Sequence, residues 1–323
     1  MRMPGFSFWV TGVVGTGLGG LGVVTDCLSI LILLRIKSLF AFILVGLSTF
    51  DLFFISTSFL AYSLPALVEQ DGKSNQISSK FLMWMEILND YALVGSIYCT
   101  IALAFERVLA LYDPFKVKSK WSSPLKPAII TLITVNLISL TVQLLKFIDY
   151  TPIPDETVEE CGIDSVEYSE GYTGVNFQYV EYYVQWPFFI LIIALPFGLL
   201  TVLNLLVWSK MKEIRKNRQI LTNTGSSSTA MSGSLVKSTP KIGNSGTVVA
   251  IIIVFLFCQL GCIMFIVCRH FFVCVFLEWG NVLFSLEMFL LNINSSTNFV
   301  IYYLSAANFR TEFKKLFPFL TRK

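Results

Sequence analysis

Seven long apolar segments constrain this chain more than any other feature of its sequence. Each is about 20 residues or longer, the length that an α-helix needs to cross the hydrocarbon of a bilayer at roughly 1.5 Å per residue. They cover residues 9–34, 39–66, 82–112, 128–148, 182–208, 247–268 and 281–304. A composition of 54% hydrophobic and 14% charged residues also excludes an ordinary soluble domain. The sequence therefore predicts an all-α membrane protein, a bundle of seven transmembrane helices within residues 1–304.

The positions of the basic residues predict how the seven segments are oriented. Cytosolic loops of membrane proteins are enriched in Lys and Arg. With the N-terminus outside, 19 of the 24 Lys and Arg residues fall on the cytosolic side and 5 on the outer side. We therefore expect a multi-pass protein of the plasma membrane, with its N-terminus outside and its C-terminus in the cytosol. Its surroundings are then the lipid bilayer, and nothing in the sequence indicates a nucleic-acid partner.

Two segments outside the seven spans have a character of their own. Residues 209–246 begin basic and become rich in Ser, Thr and Gly without apolar periodicity, so the sequence predicts a disordered cytosolic loop. In residues 305–323, apolar side chains recur at i, i+4, i+7 and i+8, at Phe309, Phe313, Leu316 and Phe317. This spacing predicts a short amphipathic helix at the inner membrane interface, followed by a short tail.

An acid and a base, Glu106 and Arg107, stand next to each other near the end of the third apolar segment. Charges in a membrane span are costly unless they are paired, and they are kept mainly where the pair or its breaking has a role. The alternative is a simple anchor at the headgroups. Pro114 and Phe115 follow shortly after, and Asp51 lies within the second apolar segment. These features favour a functional pair.

The seventh apolar segment carries polar residues at a helical period. Asn294, Asn298 and Tyr302 follow one another at steps of four, which places them on one face of a helix. Asparagine in hydrocarbon needs hydrogen-bond partners. We therefore expect this face to contribute to a polar layer inside the bundle.

These motifs resemble those of rhodopsin-like G-protein-coupled receptors. The segment from Leu47 to Asp51 is similar to that family's Leu-x-x-x-Asp in helix two, and Glu106-Arg107-Val108 to its acid-Arg-aromatic triplet in helix three. The segment from Asn294 to Tyr302, with Pro196-Phe197 and Asn204 in the fifth segment, resembles the FMRFamide and related neuropeptide receptors of invertebrates. The resemblance covers about residues 9–318.

The resemblance implies two functional layers in the membrane. Its switch and G-protein contact residues correspond to Glu106, Arg107, Phe115, Asn204, Asn298 and Tyr302. Residues that surround a sodium ion in the resembling receptors correspond to Asp51, Ser96, Asn294, Ser295 and Asn298. Oxygen ligands with one carboxylate suit a hard cation, and a dry hydrogen-bond network among the same side chains is the alternative. Sodium is the one bound ion that we expect, and no other cofactor is indicated.

A third, outer layer is the candidate ligand site. Its members are Glu86, Asn89, Asp90, Gln185, Gln259, Trp279 and Glu287. Amine receptors that resemble this chain have an Asp at the position of Asn89, which argues against a small biogenic amine. Asp90 and Glu287 could bind a basic amidated peptide through charge-assisted hydrogen bonds. Alternatively, they are structural acids paired with each other or with Lys80 and Lys146.

The chain departs from the rhodopsin-like pattern at several positions. Leu82 stands where that family has the helix-three Cys of its conserved disulfide, so Cys161 either remains free or pairs with Cys268 or Cys274. Gln259 replaces the usual Trp of helix six, and Asp26 replaces an Asn of helix one. Without the usual helix-six proline, Gly261 would have to supply any flexibility in that helix.

The sequence favours a receptor over other membrane proteins. The leading interpretation is a G-protein-coupled receptor that is activated by an extracellular ligand, an amidated neuropeptide, and that couples to heterotrimeric G proteins. The alternative is a diverged chemosensory receptor for small environmental molecules. A transporter or light-driven pump fits less well, because no inverted repeat is visible and the seventh segment has no Lys for a retinal Schiff base. No catalytic constellation indicates an enzyme, since His270 is the only histidine.

Overall fold

A computed structural model describes residues 4–69, 79–112, 124–146, 189–224 and 243–317. These residues form eight continuous helical segments, each of which we name after its longest α-helix, and within the described ranges no β-strand. We label the helices α1 (Gly15–Leu33), α2 (Leu39–Ser58), α3 (Ser79–Tyr112), α4 (Leu125–Lys146), α5 (Leu195–Thr224), α6 (Gly243–Phe271), α7 (Val273–Ser305) and α8 (Ala307–Leu316). The predicted bundle of seven long helices with a short eighth helix is confirmed.

Most of the long helices can cross a membrane by length and composition. Five continuous helical segments are apolar enough to do so among the described residues: Phe8–Leu33, Leu39–Val68, Lys80–Tyr112, Leu125–Gln143 and Ile190–Ile214. The apolar part of α6 is shorter, Val249–Phe265, and α7 carries six polar residues within 292–298. The chain is therefore a multi-pass membrane protein in which α7 buries polar residues, among them Asn292, Ser295 and Asn298.

The helices close into a bundle with α3 at its centre. α3 packs against α2, α4, α5 and α6, and α1 packs against both α2 and α7. α4 lies at the edge, where Ile129, Ile133, Leu137 and Leu140 are each about half exposed. Their spacing of three and four residues forms one apolar face, and we assign this face to the lipid.

A wider, π-helical turn directly follows α2 and another directly precedes α5, each just before a proline. The turns are Phe59–Ser63 before Pro65 and Ile190–Ala194 before Pro196. Proline has no backbone N–H and clashes with the carbonyl four residues earlier, so the regular ladder cannot continue through it. In both helices the residue before the proline donates its N–H to a carbonyl five residues back, Leu64 to Phe59 and Leu195 to Ile190. The wider turn thus keeps backbone groups paired inside the membrane.

Helix α5 is longer than the hydropathy pattern predicts. It continues to Thr224, so the prediction of a disordered loop beginning at residue 209 is wrong for residues 209–224. Within this extension Lys210 contacts Glu213 at 2.8 Å, and the Lys212 ammonium lies 3.6 Å from the ring centre of Trp208. Such pairs along one helix favour its continuation beyond the apolar part. Residues 243–246 of the predicted loop also belong to a helix, the start of α6, and residues 225–242 lie outside the described residues.

The short helix α8 has the amphipathic character expected of it. Phe309 is buried, while Lys314 and Lys315 are exposed. The Phe309 ring packs edge-on against Phe299 and Tyr302 of α7. These contacts fix α8 across the end of α7, and we call this end of the bundle the α8 end.

Candidate ligand pocket and switch

A buried carboxylate, Asp51 of α2, ties three helices together. It is fully buried, and its Oδ1 accepts hydrogen bonds from the Ser96 hydroxyl of α3 at 2.7 Å and the Ser295 hydroxyl of α7 at 3.1 Å. Its Oδ2 accepts a hydrogen bond from the Asn298 amide at 2.6 Å. A buried carboxylate is stabilised by several donors of this kind. The structure therefore brings together four of the five residues assigned to the sodium layer.

The fifth residue of that layer, Asn294, lies one helical turn before Asn298 on α7. It is half-buried, and its backbone carbonyl accepts a hydrogen bond from the Thr297 hydroxyl at 3.3 Å. Its side-chain amide does not bond to Asp51. The four-residue period therefore located the polar face of α7 correctly but did not distinguish which of its asparagines reaches the carboxylate.

A second carboxylate, Asp26 of α1, lies within electrostatic range of Asp51. It is fully buried, and neither of its oxygens has a hydrogen-bond partner among the described residues. The buried hydroxyls of Ser29, Ser48 and Tyr302 also lack one within the described part of the chain. Buried polar groups are nearly always paired. This part of the bundle is therefore an incompletely satisfied polar core.

Glu106 and Arg107 form an ion pair at the C-terminal end of α3. Glu106 Oε2 lies 3.0 Å from Arg107 Nε, and the two side chains are only 14% and 11% exposed. Neither of these two atoms makes a hydrogen bond of good geometry within the described residues. The contact is therefore a charge–charge attraction rather than a directed hydrogen bond. The guanidinium carbon of Arg107 also lies 3.7 Å from the centre of the Phe40 ring of α2. Arg107 is thus held between a carboxylate and an aromatic face.

Within the described part of the chain, no direct contact joins Arg107 to the other residues assigned to the switch. Tyr302 is fully buried and packs against Phe309, with ring centres 5.7 Å apart, and its hydroxyl lies near Ser48 without the geometry of a hydrogen bond. Asn204 of α5 is half-buried, and its amide oxygen has no partner in the described ranges. Phe115 lies outside the described residues.

The outer layer assigned to the ligand contains two buried amides with different environments. The Asn89 amide of α3 donates to the backbone carbonyl of Phe54 at 2.9 Å and to the Thr57 hydroxyl at 3.1 Å. It therefore connects α3 to α2. Gln259 of α6 is 2% exposed, and both polar atoms of its amide lack partners among the described residues. Gln259 accordingly presents a donor and an acceptor to the interior of the bundle.

The charged members of this layer are partly accessible. Glu86, Asp90 and Glu287 are half-buried, and each interacts with other residues. Trp279 is 44% exposed on α7. Gln185 lies outside the described residues. Glu86, Asp90, Trp279 and Glu287 share the half of the bundle away from α8, and none of them is hydrogen-bonded to Gln259.

The structure places in these layers two groups of aromatic side chains that were not identified from the sequence. Tyr62 and Phe265 both pack on Phe284, with ring centres 5.1 and 6.0 Å away, and Phe284 lies one turn before Glu287. Aromatic residues are so frequent here, 15% of the chain, that none of the three stood out. Phe40 was missed for the same reason, although its position at the start of α2 was a usable signal.

The helix-six glycine has a different role from the one expected. A Cβ at Gly261 would lie 2.8 Å from Leu290 Cδ1 and 3.3 Å from the Glu287 Cα. Gly261 therefore permits the close approach of α6 and α7 within a continuous helix. Cys268 of α6 carries a free thiol, so a disulfide with Cys161 is not formed there. Cys161 itself lies outside the described residues.

Seven long helices around a buried carboxylate, with an acid and an arginine paired at the end of the third, are the architecture of a G-protein-coupled receptor. The chain belongs to the family described as serpentine type 7TM GPCR chemoreceptor Srw, whose family model matches residues 18–319. The FMRFamide receptor of Drosophila melanogaster is 24% identical over an alignment of 318 residues that covers 96% of this chain and 54% of that receptor. The chain thus spans about half the length of this relative. Both findings confirm the receptor resemblance and indicate a receptor rather than an enzyme.

Proposed function

We propose that this receptor binds an extracellular ligand in the half of the bundle away from α8 and activates a heterotrimeric G protein at the α8 end. The observation that carries the proposal is the Glu106–Arg107 pair, buried to about nine-tenths at the end of α3. A paired charge of this kind is costly to keep in a membrane protein without a role. In this proposal the N-terminus is outside and the C-terminus is in the cytosol of the cell.

The proposed mechanism is a shift between two states of Arg107. In the inactive state Glu106 and Phe40 hold the guanidinium. In the active state the guanidinium is released toward the G protein. A ligand drives this shift only if it binds the active state more tightly than the inactive one. The continuous helix α3, which carries Glu86 and Asp90 at one end and Arg107 at the other, connects the two sites.

We propose an amidated neuropeptide as the ligand. The similarity to an FMRFamide receptor supports a peptide, and the half-buried acids Asp90 and Glu287 suit a cationic one. Asn89, by contrast, is neutral and already bonded to α2, which disfavours a small amine at that position. Gln259, whose buried amide has no hydrogen-bond partner among the described residues, offers the ligand a further polar contact.

The second candidate is a chemosensory receptor for small environmental molecules. The description of the matching family as chemoreceptors favours it. Parallel screens of amidated peptides and of small volatile or water-soluble compounds, read by calcium and cAMP in cells that express the chain, distinguish the two candidates. Activation by compounds of the second set alone would replace the peptide proposal.

The switch itself is tested by Arg107→Ala. We expect the amount of receptor at the cell surface to stay unchanged and ligand-driven calcium or cAMP responses to be lost, because the released guanidinium has no substitute. Arg35→Ala is the matched control, since Arg35 is an exposed arginine at the same end of the bundle. Undiminished signalling by Arg107→Ala, measured at equal surface expression, would refute the proposed switch.

We also propose a sodium ion beside Asp51, with oxygens of Ser96, Asn294, Ser295 and Asn298 around it. The two serine hydroxyls that donate to Asp51 have free lone pairs for a hard cation. Sodium should then raise the unfolding temperature of the purified receptor relative to choline at equal ionic strength, and Asp51→Asn should remove the effect. A receptor that does not respond to sodium leaves only the dry hydrogen-bond network.

A further inference from the structure

The start of α2 places an aromatic ring against the end of α3. Ser38 caps α2, because its hydroxyl oxygen accepts a hydrogen bond from the Ala41 N–H at 3.1 Å. The preceding turn is fixed by backbone hydrogen bonds from Arg35 to Ile32 and from Ser38 to Ile36. A capped helix start defines the position of its first turn. Phe40 lies in that turn and is 6% exposed.

The ring of Phe40 faces the guanidinium of Arg107. The distance of 3.7 Å from the guanidinium carbon to the ring centre is well inside the range of about 6 Å for a cation–π contact. Such contacts are stronger where water is excluded, and the Arg107 side chain is 11% exposed. The ring therefore offers a favourable surface for the charge in this state of the receptor.

Glu106 alone does not fix the orientation of the guanidinium. Its contact with Arg107 Nε has no aligned hydrogen bond, and a charge contact of that kind has little directional preference. The planar guanidinium stacks well on an aromatic face. The ring can thus set the plane in which Arg107 is held while Glu106 neutralises its charge.

We propose that Phe40 is a positioning residue of the switch, an aromatic clamp that holds Arg107 in the inactive state. This inference rests on the proposed function. When Arg107 moves toward the G protein, the cation–π contact is lost together with the ion pair. Phe40 therefore lowers ligand-free activity without contacting the ligand.

The test measures GTPγS binding, without ligand, to membranes that contain the full chain and one Gα subunit. It is repeated with one Gα subunit from each class, and the bound GTPγS is normalised to the amount of receptor at the surface. Phe40→Leu keeps a buried apolar side chain but removes the ring. We expect it to raise ligand-free exchange about two- to fivefold, the change that corresponds to loss of a typical cation–π contact from one state only. Phe40→Tyr keeps the ring and should remain at the level of the natural chain.

Two further variants keep the interpretation clear. Phe50→Leu removes a buried ring from the same helix that packs against Tyr91 instead of Arg107, and it should leave exchange unchanged. Glu106→Gln should raise exchange, because it weakens the other half of the restraint. If Glu106→Gln raises exchange and Phe40→Leu does not, or if Phe50→Leu raises it equally, Phe40 is a packing residue and the clamp is refuted. If no variant, Glu106→Gln included, changes exchange with any Gα, the proposed function fails and the clamp with it.

Discussion

The two buried aspartates of the polar core, Asp51 and Asp26, have very different hydrogen-bonding environments. Asp51 accepts three hydrogen bonds from α3 and α7. Asp26 is equally buried, but neither of its oxygens has a partner among the described residues. A buried carboxyl without partners costs several kcal/mol, either to remove its charge from water or to protonate it, whereas a well-bonded one recovers much of that cost. Asp26 is therefore a residue at which this core gives up stability.

This difference predicts the effect of making each aspartate neutral. Asp26→Asn should raise the unfolding midpoint of the purified receptor by about 2–4 °C for each kcal/mol recovered, because the amide has nearly the same shape and needs no protonation to be neutral in the core. Asp51→Asn should raise the midpoint less or lower it. One carboxylate oxygen becomes an NH₂ group, and this hydrogen-bond donor then faces side chains that are themselves donors. Thermal unfolding of both variants in one detergent checks the order. An Asp26→Asn midpoint below that of the natural chain would contradict this account.

The residues of the polar core differ in how far the sequence reveals them. Asp51, Ser295 and Asn298 could be assigned together because the period of α7 and the resemblance point to the same face. Phe40 could not be paired with Arg107, since 67 positions separate them and the contact depends on how α2 crosses α3. The lack of hydrogen-bond partners for the Asp26 oxygens could not be predicted either, because sequence patterns do not show which donors a side chain meets.

Among the helices, glycines determine how closely neighbours approach. A Cβ at Gly261 of α6 would meet both Leu290 and the backbone of Glu287 on α7. At Gly198 of α5 a Cβ would meet nothing within 4 Å. Small residues at helix contacts permit close packing in membranes, while glycine elsewhere in a helix only adds flexibility to the unfolded chain. The two glycines should therefore respond in opposite ways to the same substitution.

Gly261→Ala should lower the unfolding midpoint, because the new methyl group forces α6 and α7 apart at an estimated cost of about 1–3 kcal/mol. Gly198→Ala is the matched control and should raise the midpoint slightly, by the roughly 1 kcal/mol that separates the helix propensities of Gly and Ala. Scanning fluorimetry of the two purified variants gives both values. Equal shifts in the same direction would show that Gly261 is not a packing position.

Hydropathy locates the helices well and their ends poorly. It predicts all seven long helices, since the length of an apolar run is set by the bilayer. It does not predict that α5 extends to Thr224, because that part is stabilised by polar and aromatic side chains rather than by lipid. The prolines at 65 and 196 indicate local irregularity in α2 and α5, but the wider turns that precede them become visible only in the backbone hydrogen bonds.

At the scale of the whole molecule, charge is divided between the two ends of the bundle. With the proposed orientation, the cytosolic side holds 19 of the 24 Lys and Arg residues, while residues 149–181 contain nine acids and no Lys or Arg. That acidic segment lies outside the described residues. Its charge is either simply solvated or attracts cationic ligands over a distance. Asp90 and Glu287, by contrast, lie within the bundle and are half-buried.

These two sets of acids should affect different rate constants of a cationic peptide. The attraction by exposed acids is screened beyond about 8 Å at physiological ionic strength, and a partly buried pair is screened much less. Neutralising Glu156, Glu159 and Glu160 together should therefore slow association of an amidated basic peptide such as FMRFamide and weaken its salt dependence. Glu287→Gln should instead raise the dissociation rate, by roughly thirtyfold if about 2 kcal/mol is lost.

The control for this last prediction is Glu278→Gln, which removes an exposed acid from the same helix as Glu287. We expect its dissociation rate to equal that of the natural chain, because an exposed carboxylate contributes to approach rather than to retention of the ligand. Binding kinetics at low and high salt, measured on the same membranes, separate the contributions. Suppose that a peptide activates the receptor but dissociates from the Glu287→Gln and Asp90→Asn variants as slowly as from the natural chain. These acids then support the bundle and do not bind the ligand.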